Sequence, residues 1–236
     1  MPTDISLTET QILTVLRSFL LAVLPPRTEV VRGQTNRVPE PAGENFVVMT
    51  PILRERLATN RTNYHDAALT GSATGQTLTV TAVEFGEIVI GAPLFGPGIR
   101  DGIYVASFGT GTGGVGTYVL NAPIMPVTGA LYAGTGQAMQ ATRVTVQIDV
   151  HGPESADNAQ RIATLLRDEY ACDFFADQRG DVAPLYASEP RQAPFLNGEK
   201  QIESRWTLDA VLQANPVVTT PQRFAGEVSI DLNPLP

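Results

Sequence analysis

From Ala67 to Gln140 the chain carries only four charged residues, Glu84, Glu87, Arg100 and Asp101, yet it holds 15 of its 21 glycines. Such a composition suits turns and β-structure. It contains short runs of strand character: Thr77–Val83, Glu87–Ile90, Ile103–Phe108, Tyr118–Leu120 and Leu131–Ala133. Turn signals separate them, as in a small all-β unit. Residues 66–140 therefore read as an all-β domain inserted in a loop of a main fold made of residues 1–65 and 141–236.

The flanking segments have a different grammar. Ile12, Leu13, Leu16, Phe19, Leu20, Val23 and Leu24 keep helical spacing until Pro25-Pro26 stop them. Ser6-Leu7-Thr8-Glu9 has the form of a capping box, with Ser6 as N-cap and Glu9 three residues on. Thr28–Arg32 and Phe46–Met49 read as strands, the second ended by Pro51, and Leu53–Asn60 as a short helical turn. Val144, Val146, Ile148 and Val150 alternate with polar residues, the period of a half-buried strand. A helix follows, capped by Ser155 or Asp157 and carrying Ala159, Ile162, Ala163, Leu166 and Tyr170 on one side. Asp157 and Arg161 are placed for an i,i+4 pair, and Phe174 and Phe175 continue the apolar content. Ile202, Trp206, Leu208, Ala210 and Leu212 share one face of a long strand that Ser204 interrupts. Glu227–Leu232 reads as a last short strand. The order of elements predicts an α+β fold, helices packed on a mostly antiparallel sheet.

Composition removes several function classes. A net charge of −8 argues against general or sequence-specific nucleic-acid binding, which draws on positive surface to displace counterions. The longest apolar run, Phe19–Leu24, is far short of a membrane span, and Asp4 and Glu9 stand where a signal sequence would carry basic residues. The single cysteine, Cys172, excludes an intrachain disulfide and reads as a small half-buried residue beside Asp173. His65 and His151 flank the glycine-rich window at the ends of segments of the main fold but lack the H-x-x-x-H spacing of a metal site. Asp168-Glu169 reads as part of a solvated helix face. The string GTGTGGVGTY, Gly109–Tyr118, fits G-x-G-x-x-G twice. A dinucleotide loop must open a helix whose amides hold the pyrophosphate. Here TYVLNAPIMP follows, β-branched and broken by prolines, so a strand-to-strand hairpin is expected. No catalytic, cofactor-binding or metal-binding residues are assigned.

An interaction surface is the remaining candidate. In NRVPEPAGEN, residues Asn36, Arg37, Pro39 and Pro41, and in PRQAPFLNGEK, residues Arg191, Phe195 and Leu196, form proline-stiffened segments carrying the Arg and aromatic anchors that interfaces favour.

Three stretches of the main fold, GQTNRVPEPAGENFVVMTPILRERLATN, TVQIDVHGPESADNAQRIATLLRDEYACDFF and PLYASEPRQAPFLNGEKQIESRWTLDAVLQANPVVTTPQRFA, together resemble the bacteriophage neck or tail terminator proteins of the head–tail joining region. The window stretch TVTAVEFGEIVIGAPLFGPGIRDGIYVASFGTGTGGVGTY resembles a glycine-rich β-module that decorates phage structural proteins and lies outside the terminator core. The resemblance implies a structural, non-enzymatic virion protein of the neck or tail, made in the host bacterial cytoplasm, with no cofactor. It implies a homo-oligomeric ring, a hexamer, that terminates the tail tube. Its partners would be the tail tube protein, the head–tail connector or adaptor protein and, as a further partner, the tail sheath, with DNA passing through. Another neck connector or tube-associated adaptor is the alternative within the same class. A ligand- or carbohydrate-binding β-module is the alternative outside it, and Phe85, Phe95, Tyr104, Phe108, Tyr118 and Tyr132 are few aromatics for that task.

The division of the chain carries a test. Joining His65 to Thr142 by a short linker is expected to leave the main fold with a cooperative thermal transition in calorimetry; loss of that transition would mean the window is integral to the core.

Overall fold

The computed structural model describes residues 3–34, 41, 43–193, 195–196 and 202–221. In chain order the elements are β1 (Asp4–Ile5), α1 (Glu9–Val23), β2 (Glu29–Arg32), β3 (Phe46–Arg56), β4 (Arg61–Gly86), β5 (Leu94–Phe95), β6 (Val105–Phe108), β7 (Gly116–Met139) and β8 (Thr142–His151). They continue with α2 (Ser155–Leu166), α3 (Glu169–Gln178), β9 (Val182–Ala187), β10 (Arg191–Gln192), β11 (Phe195–Leu196), β12 (Ile202–Glu203), β13 (Arg205–Ala214) and β14 (Val217–Pro221). The chain divides into two compact units. Ser6–Asn60 and Met139–Val217 form a unit that holds all three helices; the described residues 3–5, 61–138 and 218–221 form a unit of strands.

In the helix-bearing unit, alternation along β8 puts Val144, Val146, Ile148 and Val150 in the core. β13 pairs with β8 antiparallel over ten residues, from Thr142 opposite Ala214 to His151 opposite Arg205, and adds Leu208, Ala210 and Leu212 to the same face. The sheet runs β10-β13-β8-β3-β2, with β9 also on β13; only β2 and β3 are parallel. The helices cover one face. Helix α1 supplies Ile12, Leu16, Phe19 and Leu20, α2 supplies Ala159 and Ile162, and α3 supplies Ala171 and Phe175. Phe19 meets Phe174 and Phe175 with ring centroids 5.6 Å away in each case. Each large apolar side chain buried this way contributes about 1.5–3 kcal/mol, so the helix–sheet interface dominates this unit's stability. The α+β architecture follows.

Several local expectations are corrected. The N-cap of α1 is Thr8, not Ser6: the Gln11 amide donates to the Thr8 hydroxyl at 3.3 Å, and the Thr8 amide donates to Gln11 Oε1 at 2.8 Å. Ser6 is engaged elsewhere, its hydroxyl accepting from the Val217 amide at 3.0 Å. β3 runs on through Pro51 to Arg56, with a register shift between Pro51 and Leu53 that accommodates the proline, so Leu53–Asn60 is not a helical turn. The helix expected to run on to Tyr170 breaks, because Asp168 accepts from the Tyr170 amide and caps α3. Arg161 bonds Asn158 rather than pairing with Asp157. Cys172 and Ile202 are both exposed, the latter at 80%. Glu227–Leu232 lies outside the described residues.

In the strand unit the sheet order is β1-β14-β7-β4, with β5 and β6 also on β7. β4 doubles back about Gly75 (φ +59°), which brings the Thr81 hydroxyl to the Thr70 carbonyl at 3.0 Å. Glu87–Ile90, expected as a strand, is not one. Its core is separate: Leu69, Leu78, Val80, Ile88, Leu94, Ile103, Val105, Tyr118, Leu120 and Leu131. The glycine string is the turn of the β6–β7 hairpin, with Phe108 opposite Tyr118. It wraps a buried tyrosine. The Tyr118 hydroxyl accepts from the Gly113 amide at 3.1 Å and donates to the Gly114 carbonyl at 2.5 Å. A Cβ on Gly111 would lie 2.5 Å from the Tyr118 ring, and Gly113 has φ +113°. The glycines thus serve close backbone approach to a side chain, and burial pushes the Tyr118 hydroxyl pKa up.

Candidate functional site

Arg191–Gln192 and Phe195–Leu196 pair antiparallel with Trp206–Thr207 and Ile202–Glu203, and together they form an arm. Arg191 faces Thr207 and Gln192 faces Trp206; the Ala193 amide donates to the Arg205 carbonyl; Phe195 then faces Glu203 and Leu196 faces Ile202. All these pairs keep one register. β8 stops accompanying this ladder at His151 opposite Arg205. The arm beyond that point therefore runs past the end of the sheet.

Ser204, at the break between β12 and β13, anchors its base. Its carbonyl accepts from the Gly152 amide at 3.1 Å and its hydroxyl bonds the Ser155 hydroxyl at 2.9 Å. Gly152 turns the chain there at φ +102°, and a Cβ would fall 2.1 Å from the Glu44 carbonyl, so only glycine fits. The interruption of the apolar stripe at Ser204 is thus where the strand leaves the sheet.

Beside the arm, on the sheet face away from the helices, charged side chains are held in pairs. His151 stacks on Phe46 with centroids 4.4 Å apart, and its Nδ1 lies 3.1 Å from Glu203. Arg205 stands 3.5 Å from Asp149, which also accepts from Gln147 Nε2 at 2.8 Å. Further along, Arg143 Nε donates to Glu55 at 2.8 Å. Burial pushes the His151 pKa below its ordinary value, although Glu203 and Asp149 pull the other way. At the Arg143 end the same sheet exposes apolar surface through Ile52, Leu53 and Tyr186.

Of the residues singled out from sequence, Arg191 is exposed on edge strand β10, and Phe195 and Leu196 lie in β11. They belong to the ladder of the arm, not to an irregular loop. An edge strand bonds on one side only, so Pro190 before it is tolerated. Pro41 is half-buried. Asn36, Arg37 and Pro39 lie outside the described residues. Glu203, Asp149 and Arg205 were not singled out from sequence, because the pairing of β8 with β13 is what assembles them. His65 bonds Gln137 in the strand unit, whereas His151 belongs to the other unit. Among the described residues no group of three or more His, Cys, Asp or Glu could hold a metal ion, and no helix is long and apolar enough to cross a membrane.

The family model described as phage neck terminator protein matches residues 107–234, more than half of the chain. It starts within β6 and runs through β8, α2, α3, β9 and the arm. The stretch GQTNRVPEPAGENFVVMTPILRERLATN lies outside it. No curated protein matches the chain.

The buried histidine has a pH signature. Its pKa is lowered in the folded state, so below the ordinary value of 6.5 the unfolded chain binds a proton that the folded chain resists. Stability is expected to be full above that value and to fall as pH drops from 6.5 through the folded pKa. Urea unfolding between pH 7.5 and 5.5 should show this slope in the native protein and a flatter one in His151→Gln; equal slopes would remove His151 as the cause.

Proposed function

Because the chain belongs to the phage neck terminator protein family, we propose that it is a structural subunit of the neck that assembles with copies of itself into a closed ring of six. The ring terminates the tail tube, docks the head–tail connector protein and lets DNA pass, with the tail sheath as a further contact. The observation that carries this reading is the family match over residues 107–234. The protein is structural, acts in the virion after synthesis in the host cytoplasm, and carries residues 66–140 as an inserted decorative β-module.

Three features support assembly of this kind. A heterologous ring needs two different complementary patches on each subunit. The arm, with Ile202 exposed and Arg191, Phe195 and Leu196 along it, offers one. The apolar end of the sheet at Ile52, Leu53 and Tyr186 offers a second. The acidic balance suits passage of DNA, because Arg143 and Arg205 are engaged by Glu55 and Asp149 and add little net attraction for phosphate.

Mixed with purified tail tubes, the protein is expected to cap one end of each tube in negative-stain images. Phe195→Ala should weaken self-association in sedimentation by about tenfold or more, as loss of an interface anchor does, with little change in the melting temperature. A destabilised monomer with unchanged assembly would place Phe195 in the core instead, and tubes left uncapped by the native protein would contradict the terminator role.

A further inference from the structure

In the helix-bearing unit, the edge of the sheet at β3 is open where its basic residues stand. β2 pairs with β3 only from Phe46 to Met49, so from Pro51 to Arg56 β3 is itself the edge strand among the described residues. An uncovered edge strand is a template for another chain. Arg54 and Arg56, opposite Val144 and Thr142, project to the same side of β3, and both are exposed. Arg54 stands 3.6 Å from Glu9, whereas the Arg56 guanidinium has no ion pair or hydrogen bond among the described residues. Ile52, 50% exposed, adds apolar surface to the same stretch.

The opposite edge carries the opposite charge. β9 lies on the far side of β13, and α3 packs against β9. Along α3, Glu169, Asp173 and Asp177 recur every four residues on the exposed face, while Ala171 and Phe175 face the core. None of these three carboxylates has an ion pair or hydrogen bond among the described residues. Like charges four residues apart repel, and an acid in the last turn opposes the helix dipole, so the stripe weakens the helix that bears it. Tyr170 borders the stripe, packed on Phe19 with ring centroids 6.4 Å apart and still 46% exposed. An exposed tyrosine beside carboxylates suits a guanidinium, which can use the ring face and the carboxylate oxygens together.

We propose that these surfaces are the two sides of one contact: the exposed face of α3 in one copy of this chain seats on the Ile52–Arg56 edge of the next copy. The inference rests on the ring proposed above and names the surfaces that close it. A head-to-tail contact needs two different patches that complement each other. Here they lie at opposite edges of one sheet, so each copy presents one patch to either neighbour. Charge fixes the pairing. One α3 face repels another, and one β3 edge repels another, so contacts between like surfaces are disfavoured. Leu53, opposite Thr145, points to the other face of the sheet and stays open to a further contact.

Sedimentation velocity on the full chain at low salt provides the test. Arg56→Glu and Asp173→Lys should each weaken self-association by about tenfold or more. Their melting temperatures should stay at the native value, because both side chains are exposed and unpaired within the fold. Mixed in equal amounts, the two variants should associate with each other where neither associates alone, since the intact α3 face of one meets the intact β3 edge of the other. Raising the salt to about 0.5 M should weaken the native contact, as screening does for exposed charges. Variants that assemble as the native protein does, or a mixture that stays as dissociated as its parts, overturn the inference and leave the ring to other surfaces. A native chain that stays monomeric removes the ring itself, and the inference with it. Normal assembly of Arg56→Glu together with lost retention on duplex DNA would assign the β3 edge to phosphate instead.

Discussion

The ten-residue antiparallel pairing of β8 with β13 is the constraint on which the helix-bearing unit depends. Its register aligns Val144, Val146, Ile148 and Val150 with Leu208, Ala210 and Leu212 on one face, where the helices bury them. A slip of one residue would send every one of these side chains to the opposite face. The same register assembles the paired charges on the other face, Arg205 by Asp149 and His151 by Glu203. It also decides where the sheet ends. Past His151 and Arg205 the partner strand is gone, and the chain continues as an arm held at its base by Ser204 and Gly152.

What could be read from the sequence was what short-range periodicity controls. The apolar period of α1, the alternation along β8 and the Ser204 interruption all correspond to structural features, because each reflects which side of one element is buried. What could not be read depends on partners distant in the chain. Ser6 looked like a helix cap, but the amide it serves belongs to Val217, and Thr8 does the capping. Pro51 looked like a strand end, and the register shift opposite Val146 carries the strand past it. Arg191–Gln192 and Phe195–Leu196, within PRQAPFLNGEK, read as irregular because only their pairing with residues of 202–207 makes them a ladder. Trp206 and Ile202 look equivalent in a stripe of alternate residues, yet one packs against the core and the other stands exposed beyond the sheet.

The glycine string shows how a pattern can be right in form and different in cause. Its glycines are needed for close approach, but what approaches is the Tyr118 side chain rather than a phosphate. Glycine-rich and nearly free of charge, the strand unit builds a second core of its own from hairpins.

The family match makes this a phage neck terminator protein, and the role proposed for it is one of shape and assembly. The measurement that tests this most directly is native mass spectrometry of the purified full chain over a wide concentration range. The account predicts one closed species at six times the chain mass that persists on dilution. A monomer at every concentration, or an open ladder of sizes with no closed species, would contradict it.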